Sequence, residues 1–308
     1  MALLTTHEVL DRLQQGQSLS KAELSHINLR GADLDRGQFA RSYLRAADLT
    51  GASCHETDFS HAMLMFAVLS EASLVSANLT GAKLNSARLD GANLREASGA
   101  NVRLYGATLH QVDATLANLE RADFREASGQ GANFSSANLE KANLGASSFP
   151  RANFTEADLG WAGFDGSDLT GTVWQRANLE WAVLTRTCLV GADLTRANLI
   201  GANLRAADLT DAIAQRAEFH EAMLENTQLK NANLSGASLF AAHLEGAQLQ
   251  QIDFTGADLR DANLENTVCE GANFAQSKVS GAVFTDAQGL TAEQKQWLTE
   301  NGALNVPK

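Results

Sequence analysis

From Leu24 onward, every fifth residue is a large apolar centre, and the pattern runs in step to Phe284 without an insertion or deletion. Fifty-three consecutive units result, with Leu at thirty-four centres and Phe at eleven, so the spacing itself is the dominant signal. The exceptions are Cys54, Gly99, Ala114, Gly129, Trp174, Ala214, Cys269 and Val279. Two residues before each centre sits a small residue, usually Ala, and between them lies Asn, Asp or another polar residue. The unit reads Ala-(Asn/Asp)-Leu-x-x, as in Ala77-Asn78-Leu79-Thr80-Gly81 and Ala192-Asp193-Leu194-Thr195-Arg196.

A period of five fits neither common element. On an α-helix, five steps of about 100° overshoot one turn by about 140°, so the Leu set would wander around the axis. On a straight strand, five steps place successive Leu residues on opposite faces. The pattern therefore needs a short extended piece followed by a bend, repeated. Ala and Leu, two apart, point inward together; the Asn or Asp between them points outward; the remaining two residues turn the chain. Gly31, Gly51, Gly81, Gly91, Gly171, Gly191, Gly201, Gly271 and Gly281 all fall on one bend position, as turn chemistry favours. Four bends of roughly 90° close a twenty-residue coil, and coils stack into a square β-solenoid.

These residues resemble the pentapeptide-repeat family. The resemblance implies an all-β fold, a right-handed quadrilateral β-helix, and supplies a handedness that the spacing does not. The expected organisation is an N-terminal helical cap over 1–21, the β-helix over 22–286 in about 13 coils, and a C-terminal helical cap or dimerisation helix over 287–308. With strands about 4.8 Å apart, the rod would be on the order of 60 Å long before its caps.

A solenoid exposes its core at each end and needs such caps. Thr5 with Glu8 predicts a capping box opening a helix over Thr6–Gln15, with Val9, Leu10 and Leu13 on its apolar face and Gly16 as the stop. Thr291 with Gln294 predicts a second box before Ala292–Glu300, closed by Asn301-Gly302. Trp297 and Leu298 are expected either to pack on the last coil or to form a homodimer contact, so the chain is expected to be a monomer or a C-terminal homodimer. Gly99 and Gly129 stand where Leu or Phe belongs. They predict vacancies filled by larger neighbours such as Val102 or the next Phe, the alternative being a ligand notch.

Composition narrows the class. The formal net charge is −12, from 24 Lys and Arg against 36 Asp and Glu. That balance disfavours general affinity for nucleic acid or an anionic membrane surface. The chain has no apolar run long enough to span a bilayer, and Met1-Ala2-Leu3-Leu4-Thr5-Thr6-His7-Glu8 lacks the features of a signal peptide. Cys54, Cys188 and Cys269 are odd in number and far apart, so no disulfide framework is expected. A cytoplasmic protein is expected.

Chemistry is sparse. His55 and His61 lie near Cys54, Glu56 and Asp58, but Cys54 should face inward, which spoils a zinc site. No phosphate loop, nucleophile elbow or paired-cysteine motif occurs. The expectation is that the protein is not an enzyme and uses no cofactor or metal.

Residues twenty apart stack vertically, so surface columns can be read directly. Ten of the twelve excess negative charges lie beyond residue 154. Glu225, Glu245 and Glu265 form one column, Glu221 and Asp261 occupy the preceding corner, and Glu218 and Asp258 the adjoining face. Stacked like charges repel, so either solvation alone or an electropositive partner explains them. Two apolar clusters also point outward: Met63, Met65, Phe66 and Val68 near Tyr43, and Trp161 with Trp181 beside Ile200 and Phe240.

The expected function is a non-enzymatic scaffold that presents these columns to a protein partner. The family resemblance implies a sharper version, in which a DNA-like acidic rod binds a type II topoisomerase such as DNA gyrase. The uninterrupted, long repeat departs from the compact, loop-bearing members that protect gyrase. A second expectation is an accessory or effector of a bacterial secretion system, docking an adaptor through the apolar clusters.

Overall fold

The computed structural model describes residues 4–308. Met1–Leu3, the start of the expected cap and of the stretch read as lacking a signal peptide, lie outside the described residues. The chain divides into two compact units, residues 1–158 and 159–308. Each is built from right-handed quadrilateral β-helix coils. The first also carries α1 (Thr6–Gln14) and the second α2 (Ala292–Glu300).

In both units the outward residue before each centre bridges its counterpart twenty residues on, in parallel register, as in Asn78↔Ser98 and Met223↔His243. The ladder is carried by bonds such as Leu79 N–H to Ser98 O (2.6 Å) and Asn78 N–H to Thr57 O (2.9 Å). Nearly every corner is a tight turn closed from the small residue back to the previous centre, for example Ala82 N–H to Leu79 O (2.9 Å). The second bend residue is left-handed at every one of the fifty-four corners from Lys21 to Asp286, the signature of a type II turn. Only fifteen of those corners carry Gly, so the fold imposes this conformation on residues that would not choose it.

The outward Asn and Asp residues explain part of that compliance. Asn78 Oδ1 accepts from Thr80 N–H (3.1 Å) and Asp193 Oδ1 from Thr195 N–H (2.9 Å), which satisfies the bend's first amide as an Asx turn. Several also link coil to coil, as when Asn138 Nδ2 donates to Asn118 Oδ1 (3.2 Å).

Ala and Leu fill the core as the pattern requires. Where Thr replaces Ala its buried hydroxyl bonds to a turn carbonyl, as Thr57 Oγ1 donates to Leu34 O (2.8 Å) and Thr187 Oγ1 to Phe164 O (2.9 Å), whereas the buried hydroxyls of Ser42 and Ser147 have no partner among the described residues. Phe centres stack coil on coil, with Phe39 and Phe59 5.3 Å apart and Phe134 and Phe154 5.2 Å apart. Trp174 is fully buried and donates its Nε1–H to Thr172 Oγ1 (2.7 Å), so it belongs to the core. Gly99 and Gly129 are filled vacancies. A Cβ on Gly99 would lie 2.9 Å from Leu119 Cδ2, and one on Gly129 only 2.3 Å from Phe149 Cε1.

Both capping boxes are present. α1 buries Val9 and ties to the first unit through Thr6 Oγ1–H to Asn28 O (2.7 Å). α2 buries Leu298, and Gln294 Nε2 donates to Ala272 O (2.7 Å). Leu298 is therefore a cap anchor, and the expectation that it offers a dimer contact is corrected by its complete burial within its own chain. Trp297 is only partly buried, beside Phe274. Beyond α2 the chain adds a short rung, with Leu304 bridging Val283. No described helix is long and apolar enough to cross a membrane.

Candidate protein-docking surfaces

The repeat places every outward side chain at a corner or mid-face, so surface chemistry is arranged in columns one coil apart. In the second unit Glu218, Glu221 and Asp261 are exposed, whereas Glu225, Glu245, Glu265 and Asp258 are half-buried. The column is not a bare stack of like charges. Arg205 Nη2 pairs with Glu225 Oε1 at 2.6 Å, and Asn263 Nδ2 donates to Glu245 Oε1 at 2.6 Å. Arg260 holds Asp258 through two bonds of 2.8 and 2.6 Å, with Lys278 Nζ 3.7 Å away. Hydrogen bonding to Arg260 keeps the Asp258 carboxyl below the usual range for Asp. The expected unrelieved repulsion is corrected at these two positions, because a cation lies on each carboxylate. Exposed negative charge remains on Glu218, Glu221 and Asp261, with Glu265 half-exposed beside them.

The apolar clusters divide similarly. Phe66 is 52% exposed, with the Arg45 guanidinium 5.5 Å from its ring centre, while Met63 and Met65 are half-buried. Trp161 and Trp181 are 54% and 42% exposed. Trp181 Nε1–H donates to Glu180 Oε1 (3.1 Å), and its ring lies against Gly201 one coil on. Phe240 is a separate exposed ring, flanked by Arg260 and His220.

No group of metal-binding side chains forms among the described residues. His55 sits in a hydrogen-bonded row, its Nδ1 3.3 Å from Asp35 Oδ1 and its Nε2 3.1 Å from Ser73 Oγ. Burial pushes the Cys54 thiol up to about 12 and the Cys269 thiol to about 11, so neither supplies a thiolate near neutral pH.

Sequence reasoning missed three features. Leu116 and Tyr105 are exposed in the first unit, as are Val183 and Ile213 in the second. A corner of the second unit carries Arg176, Arg196 and Arg216 along one groove. The twenty-residue register would have revealed that ladder, had columns been read for cations as well as acids.

The pentapeptide-repeat family profile matches over residues 37–199 and 202–268. No curated protein matches. Among solved structures, HetL, a pentapeptide repeat protein involved in heterocyst differentiation regulation in the cyanobacterium Nostoc sp. strain PCC 7120, is similar at 26% identity. The match covers 92% of this chain and 99% of HetL, with a TM-score of 0.39. A pentapeptide repeat protein of the Arabidopsis thaliana thylakoid lumen matches at 32% identity over 37% of this chain and 80% of its own, with a TM-score of 0.36. QnrB1, a plasmid-mediated fluoroquinolone resistance protein, matches at 18% identity over 63% of this chain and 94% of its own, with a TM-score of 0.42. Pentapeptide-repeat proteins are structural or binding scaffolds. With the five-residue period, the left-handed corners and the profile all in agreement, this chain belongs to the pentapeptide-repeat family.

Proposed function

We propose that the protein is a non-enzymatic scaffold whose second unit docks an electropositive protein surface through Glu218, Glu221, Glu225, Glu245, Asp258, Asp261 and Glu265. The observation that carries this is the negative column set itself. Carboxylates repeat at the coil step of about 4.8 Å on a rigid support, which fixes their positions before any partner arrives. A preorganised row of charge steers and orients a complementary partner. The partner class we favour is a type II topoisomerase such as DNA gyrase, whose DNA-binding surface must be positive to hold phosphates. In that case the acidic columns stand in for the DNA backbone.

The test is gyrase-catalysed supercoiling with purified protein, comparing the natural sequence with Glu221→Lys, Asp261→Lys and Glu265→Lys combined. These residues carry no ion pair among those described, so reversing them spares the Arg205–Glu225 and Arg260–Asp258 contacts. Inhibition or drug protection at micromolar protein, lost in the triple variant, supports the proposal; no effect of the natural protein refutes the topoisomerase assignment.

The exposure of Trp161, Trp181 and Phe66 favours a second reading, docking of a protein adaptor such as a secretion-system component through aromatic anchors, with Met63 and Met65 packed alongside. Equal recovery of all partners by natural protein and by Trp161→Ala/Trp181→Ala would count against it.

A further inference from the structure

In the second unit, Arg176, Arg196 and Arg216 follow one another at twenty-residue intervals, each at a left-handed corner (φ 58°, 60° and 57°). With Gln175, Thr195, Gln215 and Ser235 they line a groove of about 420 Å³. The coil step holds successive arginines about 5 Å apart at the backbone, a repulsive arrangement unless something negative lies along it. Arg196 and Arg216 take part in no ion pair among the described residues. For Arg196 and Arg216 two carboxylates close in sequence are otherwise engaged or turned to solvent. Asp193 already accepts from Gln175 Nε2 (2.7 Å) and Thr195 N–H (2.9 Å), and Glu218 stands exposed on the adjoining face.

The lining is rich in donors. Guanidinium groups donate and never accept, and the hydroxyls of Thr195 and Ser235 and the amide of Gln215 can donate beside them. No aromatic ring and no apolar wall lines the groove, so it offers nothing for a nucleobase to stack on. These features call for a compact chain of anionic oxygens.

We propose that this corner binds an oligophosphate through its phosphate chain. An acidic peptide fits less well, because an extended strand repeats same-face side chains about every 6.8 Å and falls out of step with a ladder of about 4.8 Å by the third rung. An oligophosphate carries charge on every unit, and its flexible links adapt to the ladder. Arginine is suited to the task, since its planar fork engages phosphate oxygens in pairs. The site is distinct from the column of Glu225, Glu245 and Glu265, because Glu225 lies ten residues on from Gln215, at the diagonally opposite corner of a twenty-residue coil. Of the acidic set only Glu218 stands on the face beside it, level with Arg216. The proposal stands whether or not those columns bind a partner.

The experiment is calorimetric titration of the full chain with magnesium-free tripolyphosphate at low salt. Four proteins are compared: the natural sequence, Arg196→Gln/Arg216→Gln, Arg196→Lys/Arg216→Lys, and the control Arg88→Gln/Arg103→Gln in the first unit, each checked for native circular dichroism. The expected result is saturable one-to-one binding, weakened at least tenfold by the Gln pair, less by the Lys pair and unchanged by the control. ATP should bind no more tightly than tripolyphosphate, because only the phosphate chain is recognised, and inorganic phosphate should bind more weakly. Absence of saturable binding at millimolar tripolyphosphate overturns the proposal, as does an equal loss in the control. ATP binding tenfold tighter than tripolyphosphate also overturns it, since that requires a base contact the groove does not provide.

Discussion

The ring of Trp181 lies against the backbone of Gly201 one coil on, so closely that a Cβ at Gly201 would sit 2.3 Å from the indole Cζ3. Gly201 is also left-handed (φ 64°) and is buried beneath that ring. The relationship joins two roles, because the glycine that permits the corner also seats an aromatic residue on the surface.

Gly201→Ala should therefore do two things. The left-handed turn and the displaced indole together should cost about 1–3 kcal/mol of stability. The Trp181 ring should also move, shifting the tryptophan emission of the folded protein. Urea denaturation and fluorescence check both; an unchanged melt would mean that the ring is free to swing aside at no cost.

Ala206 is a left-handed corner (φ 55°) with no polar side chain to lose. Relief of strain should outweigh the extra freedom of glycine in the unfolded chain, so Ala206→Gly should stabilise by about 0.5–1 kcal/mol. The reverse change two coils on in the same corner column, Gly246→Ala, brings a Cβ to 2.7 Å from Asn226 Oδ1 and should destabilise. Opposite shifts in the urea midpoint are the expected outcome.

Gly129 occupies a centre where the repeat calls for Leu, so repeat-based design would restore it. The space is already filled by the Phe149 ring, and Gly129→Leu should destabilise by about 1–3 kcal/mol through overpacking. A raised melting temperature would show that Phe149 can withdraw without loss.

Much of this architecture was legible because a five-residue period admits few geometries. The inward Ala and Leu, the capping boxes of Thr5 with Glu8 and Thr291 with Gln294, and the filling of Gly99 and Gly129 all follow from position alone. What escaped depends on side-chain reach between coils. Arg205 neutralises Glu225 from twenty residues away, and pairing of that kind has no local signal. Leu298 and Trp297 are neighbours in sequence, yet only the first turns fully inward, because the helix phase on the last coil decides it. The rung at Leu304 falls outside the five-residue frame and carries no repeat signature.

Asp258 gives the pH dependence its sign. Its bonds to Arg260 lower its folded pKa below the unfolded value of about 3.9, so its stabilisation is complete above that value and is lost as pH falls through the folded pKa. Asp258→Asn should therefore be less stable than the natural protein at pH 7, and the gap should narrow progressively as pH falls below about 4. Urea midpoints at pH 7 and pH 3 check this; a gap as large at pH 3 as at pH 7 would assign the effect to packing.

The central claim is that the acidic columns of the second unit present charge to a surface made to hold DNA. Competition between this protein and duplex DNA for gyrase, measured at several salt concentrations, tests it most directly. The account predicts mutually exclusive binding that weakens as salt rises, and loss of competition in the Glu221→Lys, Asp261→Lys, Glu265→Lys variant. Simultaneous binding of protein and DNA, or competition that survives the triple reversal, would contradict it.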